Sequence, residues 1–273
     1  MRIVTLLEND SIRNDLKSAH GLSLYIEHNH RKILFDIGPG NQYIKNAKKL
    51  GVDIKDVDYL IISHGHRDHG RGISKFLRKN KKAKVYIQET AFQKLYKNFK
   101  KIYLPIGIRK PVFSRRLVMV NDDIKIDNGI KIYHNVKAVD QIIKDDTLLK
   151  KDPIDGFVQD DFDHEIYLVL YGGKSKVLFS GCSHKGIENI IDSIELKEKK
   201  PFSAVVAGFH FSHYDSSNLR QTMYLDDFSE KMTTKGKVTY YTGHCTGDEA
   251  YLDLKQRMKD SLQRIKTGTE INL

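Results

Sequence analysis

Apolar and polar residues alternate over short stretches in the first part of the chain, which is typical of strands joined by tight turns. Residues 3–7, 22–27 and 33–36 are rich in β-branched and aromatic side chains. The last two runs flank the polar turn 28–31, so a hairpin is predicted there. Residues 59–62 form a continuous apolar run, of the kind found in strands that are buried on both faces.

The remaining pattern predicts a second series of strands with helices between them. Further strands are expected at 117–120, 130–133, 165–171, 176–179, 204–207 and 238–241. Helices are expected at 41–50, 72–78, 91–100, 186–197, 219–233 and 248–266. Hairpins in each half, followed by helices, predict an α/β (α+β) protein, a four-layer αββα sandwich of two mixed sheets. We expect a single domain over 1–273, with a lid-like basic excursion at 88–116.

The composition indicates a globular protein but does not indicate which reaction it catalyses. The 273 residues are 40% hydrophobic and 30% charged, as in globular rather than disordered proteins. No apolar run is long enough to span a bilayer, and the N-terminus lacks the apolar segment of a secretory signal. With only Cys182 and Cys245 available, no disulfide framework is expected, and a cytoplasmic location is the simplest interpretation.

The positive charge of the chain is concentrated in one segment. Residues 75–116 contain fourteen Lys or Arg against one acid, Glu89, a net charge of +13, whereas the whole chain carries +11. Either this segment is a solvated Lys-rich surface, or its field attracts an anionic substrate such as a phosphorylated small molecule or a nucleic acid.

A cluster of histidines directly after the apolar run 59–62 carries the chemistry. In an extended segment residues i and i+2 point to the same side, so His64 and His66 can present two imidazoles to one ion. Asp68 and His69 follow where the chain turns into the next helix, offset from that pair. We therefore predict a metal site here, in place of ordinary surface histidines.

Other polar clusters also follow predicted strands, where the loops of α/β proteins collect functional groups. Cys182 and His184 follow the run 176–179, and His244 follows 238–241. His210 follows 204–207 and is a candidate ligand or substrate contact; His164 is a further candidate. Glu8 and Asn9 end the first strand, where they either line a pocket or cap a turn.

These motifs resemble those of the metallo-β-lactamase-fold superfamily, whose motif is His-x-His-x-Asp-His after a buried strand. The runs Ser180–Ile187 and Thr242–Gly247 further resemble a branch similar to 7,8-dihydropterin-6-methyl-4-(β-D-ribofuranosyl)aminobenzene 5′-phosphate synthase. The resemblance implies two divalent ions, zinc first, with manganese or iron as alternatives. It implies the following ligands: His64, His66, Asp68, His69, His184, His244 and Cys182.

Two residues, Cys182 and Asp36, need separate comment. Most members have a bridging Asp where this chain has Cys182, which either ligates metal or fills space while His184 coordinates. Asp36, in the run Leu34–Gly38, is expected to orient a metal-bound histidine rather than to bind metal directly.

The function that follows is a metal-dependent hydrolase that uses a metal-bound hydroxide on a small anionic substrate, with Asp68 as the catalytic residue. The alternative is a dihydropterin-methyl transferase that joins two phosphorylated substrates. An RNA- or DNA-processing nuclease ranks lower, since superfamily nucleases carry a larger extra arm than 88–116. A metal or redox sensor built on Cys182 and Cys245 is the non-enzymatic alternative. We expect neither a nucleic-acid nor a membrane partner.

Overall fold

A computed structural model describes residues 1–112, 115–139, 141–152, 154–173 and 175–273. These residues form two compact units. The first contains Met1–Asp122, Asp145–Ile166 and Lys266–Leu273, and the second contains Asp123–Lys144 and Tyr167–Ile265. Among the helices described, none has both the length and the apolar character needed to cross a membrane.

The elements in chain order are as follows. The strands are β1 (Arg2–Leu7), β2 (Ser23–His28), β3 (Arg31–Phe35), β4 (Tyr59–Ile61), β5 (Lys84–Ile87), β6 (Leu95–Phe99), β7 (Ile102–Pro105), β8 (Leu117–Met119), β9 (Ile124–Asp127), β10 (Ile130–Tyr133), β11 (Leu148–Asp152), β12 (Gly156–Gln159), β13 (Tyr167–Gly172), β14 (Ser175–Phe179), β15 (Ala204–Val206), β16 (Thr239–Thr242), β17 (Leu262–Arg264) and β18 (Glu270–Asn272). The helices are α1 (Gln42–Lys49), α2 (Arg67–Gly70), α3 (Ile73–Lys79), α4 (Ile187–Glu198), α5 (Leu219–Thr234) and α6 (Asp248–Met258).

The first unit is built on a seven-stranded mixed sheet with the order β18-β1-β2-β3-β4-β5-β8. Its first four strands pair antiparallel, and β3, β4, β5 and β8 pair parallel. One face of this sheet packs against α1 and α3 in a buried cluster that includes Leu34, Leu60, Val85, Tyr43 and Phe76. This packing holds β4, and with it the histidine-rich loop that follows, in a rigid frame.

The second unit repeats this plan with a sheet of order β17-β16-β15-β14-β13-β10-β9. Here β14, β15, β16 and β17 are parallel, and α4, α5 and α6 contribute Ile191, Phe228 and Leu254 to the buried cluster that covers one face. The carboxyl ends of parallel strands meet at one edge of a sheet, so the loops after β14, β15 and β16 lie side by side. The prediction of an α/β protein with two mixed sheets is confirmed.

A third, four-stranded sheet in the first unit has the order β12-β11-β6-β7 and corrects one prediction. We expected a helix at 91–100, but Glu89–Phe92 is a short 3-10 turn and Leu95–Phe99 is the strand β6. The helix prediction is wrong because β6 gains partners on both sides, from Ile102–Pro105 and from β11, far along the chain. Such non-local pairing overrides a local preference for helix.

The predicted helix at 248–266 also extends too far. It ends at Met258, and Leu262–Arg264 forms the strand β17 instead. Lys259 adopts a positive φ of 47°, which turns the chain out of the helix. Leu262 is then fully buried beside Tyr240 on β16, and this burial favours the strand.

Asp145 anchors the start of β11, and its ionisation is expected to contribute to stability. Burial opposes its charge, but hydrogen bonds from Thr147 and the ammonium of Lys97 at 3.1 Å lower the pKa of the carboxyl to about 2. A lowered pKa stabilises the fold above the ordinary value of 3.8, and the stabilisation is lost as the pH falls toward 2.

We therefore expect Asp145→Asn to cost about 1–2 kcal/mol of unfolding free energy at neutral pH, after allowance for solvent screening. The difference from the unaltered protein should shrink as the pH falls from about 5 toward 2. Urea unfolding followed by circular dichroism at several pH values measures it. A difference that does not change with pH would show that the carboxylate charge is not the cause.

Candidate metal centre

The histidines after β4 are buried and lie against one another. His64 and His69 are fully buried, and the exposed fraction of His66 is 5%. The ring centre of His64 is 4.1 Å from that of His69 and 4.7 Å from that of His66. Three buried imidazoles so close together are unusual for a hydrophobic core, in which a buried polar side chain is usually isolated and hydrogen-bonded. The loop therefore gathers imidazoles as a metal site requires.

Asp36, at the end of β3, organises two of these rings from behind. Its Oδ2 accepts a hydrogen bond from His69 Nδ1 at 2.6 Å and another from the Ser63 hydroxyl at 2.7 Å. Its Oδ1 accepts from the backbone N–H of Ser63 at 2.8 Å. Ser63 Oγ in turn lies 2.8 Å from His64 Nδ1. Asp36 thus contacts His69 directly and His64 through Ser63, and its role in orienting metal-bound histidines stays a prediction. Its φ of 59° marks a strained turn.

This network determines which ring nitrogens carry protons. An ionised carboxylate only accepts, so His69 donates through Nδ1. The Ser63 hydroxyl uses its single proton toward Asp36, so it accepts from Nδ1–H of His64. Nδ1 is therefore the protonated nitrogen of both rings, and Nε2 carries the lone pair whenever the ring is neutral. Burial, followed by the neighbouring His69 and His66, holds the pKa of His64 well below its usual value, which agrees with a neutral ring.

His66 is contacted by a different acid. Its Nε2 lies 3.9 Å from Oδ2 of Asp160, which is also 3.1 Å from Nε2 of His164. Burial opposes the charge of Asp160, yet the hydrogen bond that it accepts from His164 and the nearby ring of His66 hold the pKa of its carboxyl far below the usual range. Nδ1 of His164 accepts the N–H of Gly65 at 3.2 Å, so both ring nitrogens of His164 serve to hold the loop. His164 is therefore better described as a support than as a ligand.

Asp68 is the most accessible of the four proposed ligands in the motif, with a side-chain exposure of 20%. Its Oδ2 lies 3.7 Å from Nε2 of His69 and 3.3 Å from Nε2 of His20. His20 precedes β2 in an irregular segment, and its side chain is 71% exposed. Nothing in the local sequence distinguishes His20 from a surface histidine, and sequence reasoning did not include it. Its place beside Asp68 is visible only in the folded chain.

Glu8 and Asn9 fix a turn after β1. Glu8 Oε2 accepts the N–H of Asp10 at 2.7 Å, and Asn9 Oδ1 accepts the N–H of Gly21 at 3.2 Å. These contacts agree with the turn-capping role for both residues, and pocket lining stays a prediction. Gly21 also permits a close approach, because a Cβ there would lie 2.4 Å from the backbone oxygen of Asp68.

In the second unit the predicted residues converge at the ends of parallel strands. Cys182 and His184 follow β14, His210 follows β15 and His244 follows β16, and all four are buried. The ring centres of His184 and His210 are 4.2 Å apart. Ser183, His210 and His244 have positive φ values of 58°, 56° and 50°. Strained backbone at three adjacent loops is a feature of functional sites.

The residues of the His64 loop fit a divalent cation. Buried imidazoles held through Nδ1, with Nε2 left for an ion and a carboxylate nearby, form the donor set used by zinc, manganese and iron. The orienting acid behind them completes the carboxylate–histidine arrangement seen around protein-bound metals. A hydrophobic core would not need such a network.

Comparison with known proteins agrees with this interpretation. The family model described as the metallo-β-lactamase superfamily matches residues 19–244. The chain is 27% identical to the 7,8-dihydropterin-6-methyl-4-(β-D-ribofuranosyl)aminobenzene 5′-phosphate synthase of Methanocaldococcus jannaschii, over 98% of this chain and 95% of that protein.

Solved structures share the fold. Tm1679, described as a metal-dependent hydrolase of the β-lactamase superfamily, superposes with a TM-score of 0.79 at 24% identity, covering 100% of this chain and 99% of its own. Zn²⁺-bound PqqB of Methylobacterium extorquens has a TM-score of 0.55 at 9% identity, with full coverage of both chains at 100%. Together with the family match over 19–244, this shows that the chain belongs to the metallo-β-lactamase superfamily.

Proposed function

We propose that this protein is a metal-dependent hydrolase that acts on a small anionic substrate. One observation carries the proposal: the Asp36–Ser63 network holds His64 and His69 through Nδ1, which directs Nε2 away from the network, and Nε2 of His69 lies 3.7 Å from Asp68. Members of this superfamily typically bind divalent metals such as zinc. A bound divalent cation lowers the pKa of water and polarises a substrate oxygen, which is the chemistry that hydrolysis of an ester, thioester or phosphodiester needs.

The proposed ligands in the first unit are His64, His66, Asp68 and His69. The resemblance of the sequence motifs adds His184, His244 and Cys182 to the proposed set, which is enough donors for two ions. Zinc is our first choice, with manganese or iron as alternatives, because imidazole and carboxylate suit all three and a thiolate favours zinc.

Asp68 is the proposed catalytic residue. Its carboxylate is partly exposed, so a water molecule can reach Oδ2 from solvent. We propose that Oδ2 takes the proton of the attacking water. Nε2 of His20, at 3.3 Å, is placed to receive this proton and release it to solvent, since that side chain is 71% exposed.

The proposal of an anionic substrate rests on charge. In the first unit twelve of the fourteen cations of the segment 75–116 are exposed, all except Lys97 and Arg116. Arg116 donates to the backbone oxygens of Asn80 and Leu77, so it has a structural role. The exposed remainder raises the local concentration of small anions through its field.

A second candidate function is favoured by the relative from Methanocaldococcus jannaschii, which is named as a synthase and matches 98% of this chain. On this alternative the protein is a dihydropterin-methyl transferase that joins two phosphorylated substrates. The same ligands would then assist departure of a diphosphate instead of hydrolysis. Both candidates fit the cytoplasmic location that we propose from a sequence with only two cysteines.

Metal analysis followed by a substrate screen tests the proposal. Protein purified without chelator should contain a divalent metal, and it should hydrolyse one member of a panel of phosphodiesters, thioesters, lactones and pterin phosphates. Formation of a joined product only when a pterin-methyl diphosphate and a ribosyl-aminobenzene phosphate are both present would favour the transferase. Purified protein that binds no divalent metal at all would overturn both candidates.

A further inference from the structure

Two cysteines and a histidine converge in the loops of the second unit. One ligand atom from each of Cys182, His210 and Cys245 lies within 4.8 Å of the others, and all three residues are buried. The cysteines follow β14 and β16 and are 63 positions apart in the chain, so the sheet alone brings them together. Cys245 was not among the ligands that the sequence motifs imply.

We propose that Cys182, His210 and Cys245 form a thiolate-rich metal site within the second unit, suited to a thiophilic divalent ion such as Zn²⁺. Two sulfurs and one imidazole are a known three-residue zinc set, with a fourth position left for water or substrate. The inference deepens the proposed function, because Cys182 also belongs to the ligand set proposed there. It does not depend on whether the reaction is hydrolysis or transfer.

The arrangement of the side chains in this cluster suits a metal ion. The sulfur of Cys245 lies 3.5 Å from the backbone oxygen of Cys182, so the loops after β14 and β16 meet at this point. Cysteines bind a metal as thiolates, and binding of the cation displaces the thiol proton. Two cysteines that merely filled space would not need the imidazole of His210 beside them.

The three loops are fixed by contacts that a metal site requires. Gly208 donates its N–H to the oxygen of Gly181 at 2.8 Å, which joins the loop after β15 to the loop after β14. Thr246 Oγ1 accepts the N–H of Phe209 at 3.0 Å and lies 2.5 Å from Oγ1 of Thr242, which joins the loop after β16. Donors held this firmly lose little entropy when they bind an ion.

Gly208 is also required for space. A Cβ at this position would lie 2.5 Å from Sγ of Cys245 and 2.9 Å from the oxygen of Gly181. Neither distance is tolerated, so an alanine here would push the sulfur away from its partners. The glycine therefore permits the backbone to approach the cluster closely.

Cobalt substitution of the full-length protein tests the site with a readout other than activity. Thiolate ligation of Co²⁺ gives a near-ultraviolet charge-transfer band that imidazole and carboxylate ligands do not produce. We expect this band in the unaltered protein, a loss of about half of it in Cys245→Ser, and its absence in Cys182→Ser/Cys245→Ser, since each thiolate contributes separately. Gly208→Ala should weaken it without removing any ligand.

Two controls separate this inference from the proposed function. His213→Ala, which alters an exposed histidine three residues from His210, should leave the band unchanged. His64→Ala/His69→Ala should keep the band while losing the proposed activity. Circular dichroism spectra must show that each variant is folded, so that the loss of the band reports on ligands.

The outcomes are distinct. Metal and activity without a thiolate band would overturn the thiolate site and leave the proposed function standing. A thiolate band in a protein that acts on no substrate of the panel would support the thiolate site and overturn the proposed function. Titration of protein unfolded in the presence of a chelator that detects no free thiol would show a Cys182–Cys245 disulfide in place of a metal site, and would also overturn the inference.

Discussion

Replacing Asp68 by Ala is expected to reduce turnover by about 10²–10⁴-fold, the usual contribution of a positioned general base. The carboxylate is the proposed proton acceptor, and its Oδ2 lies 3.7 Å from Nε2 of His69. Folding should be little affected, because the side chain is partly exposed. Steady-state kinetics on the substrate found in the screen, with metal content measured in parallel, provide the test.

The matched control for Asp68 is His20→Ala. This exposed histidine contacts the same carboxylate oxygen but is proposed only to pass on a proton, so we expect a smaller loss, confined to low buffer concentration. Full turnover in Asp68→Ala would exclude the proposed catalytic role. If the unaltered protein shows no turnover, and Asp68→Ala still binds the same specific partner, the sensor interpretation is favoured instead.

Asp36→Asn is expected to weaken metal binding about 10–100-fold, the usual effect of removing an orienting partner of a metal ligand. The physical reason is the tautomer of His69. If the new amide nitrogen faces His69, it requires Nδ1 to accept, and the ring proton moves to the coordinating Nε2. If the amide is flipped, its nitrogen meets the N–H of Ser63 instead, and two donors oppose each other.

Competition with a chromophoric chelator measures the affinity of this variant. Asp58→Asn is the matched control, since that carboxylate also accepts a backbone N–H, from Lys32 at 2.9 Å, but contacts no histidine in the bonds described. The control should bind metal like the unaltered protein. Equal affinity in Asp36→Asn would show that the carboxylate does not select the tautomer.

The proposed thiolate site concerns Cys182, the position at which this chain differs from the common ligand pattern of the superfamily. The sequence left open whether this cysteine binds metal or fills space, where most relatives have a bridging acid. In the second unit its neighbours are Cys245 and His210, not apolar side chains alone. A soft donor set in one unit and a harder one of imidazole and carboxylate in the other would have different metal preferences. Metal identity is therefore worth measuring on variants of each set.

Local patterns were sufficient where an element is stabilised by its own residues and their period. The runs around β2, β3 and β4 and the helices α4 and α5 were predicted nearly to their ends, because apolar periodicity shows directly which face is buried. Local patterns fail where pairing with a distant segment decides the secondary structure. β6 forms because β7 and β11 pair with it, and β17 forms because Leu262 is buried beside β16. Such partners lie outside any local window.

The sequence by itself determined the family and the histidine motif, since six adjacent residues after one buried strand are enough for both. Only the tertiary structure decided how these rings are held. Asp36 lies 28 positions before His64 in the chain, and Asp160 lies 94 positions after His66, yet both contact the motif. His20 reaches it from an irregular loop. The meeting of Cys182 with Cys245 was likewise decided by the register of parallel strands. Hydrogen bonds between distant residues depend on how the chain folds back, which local residue order does not record.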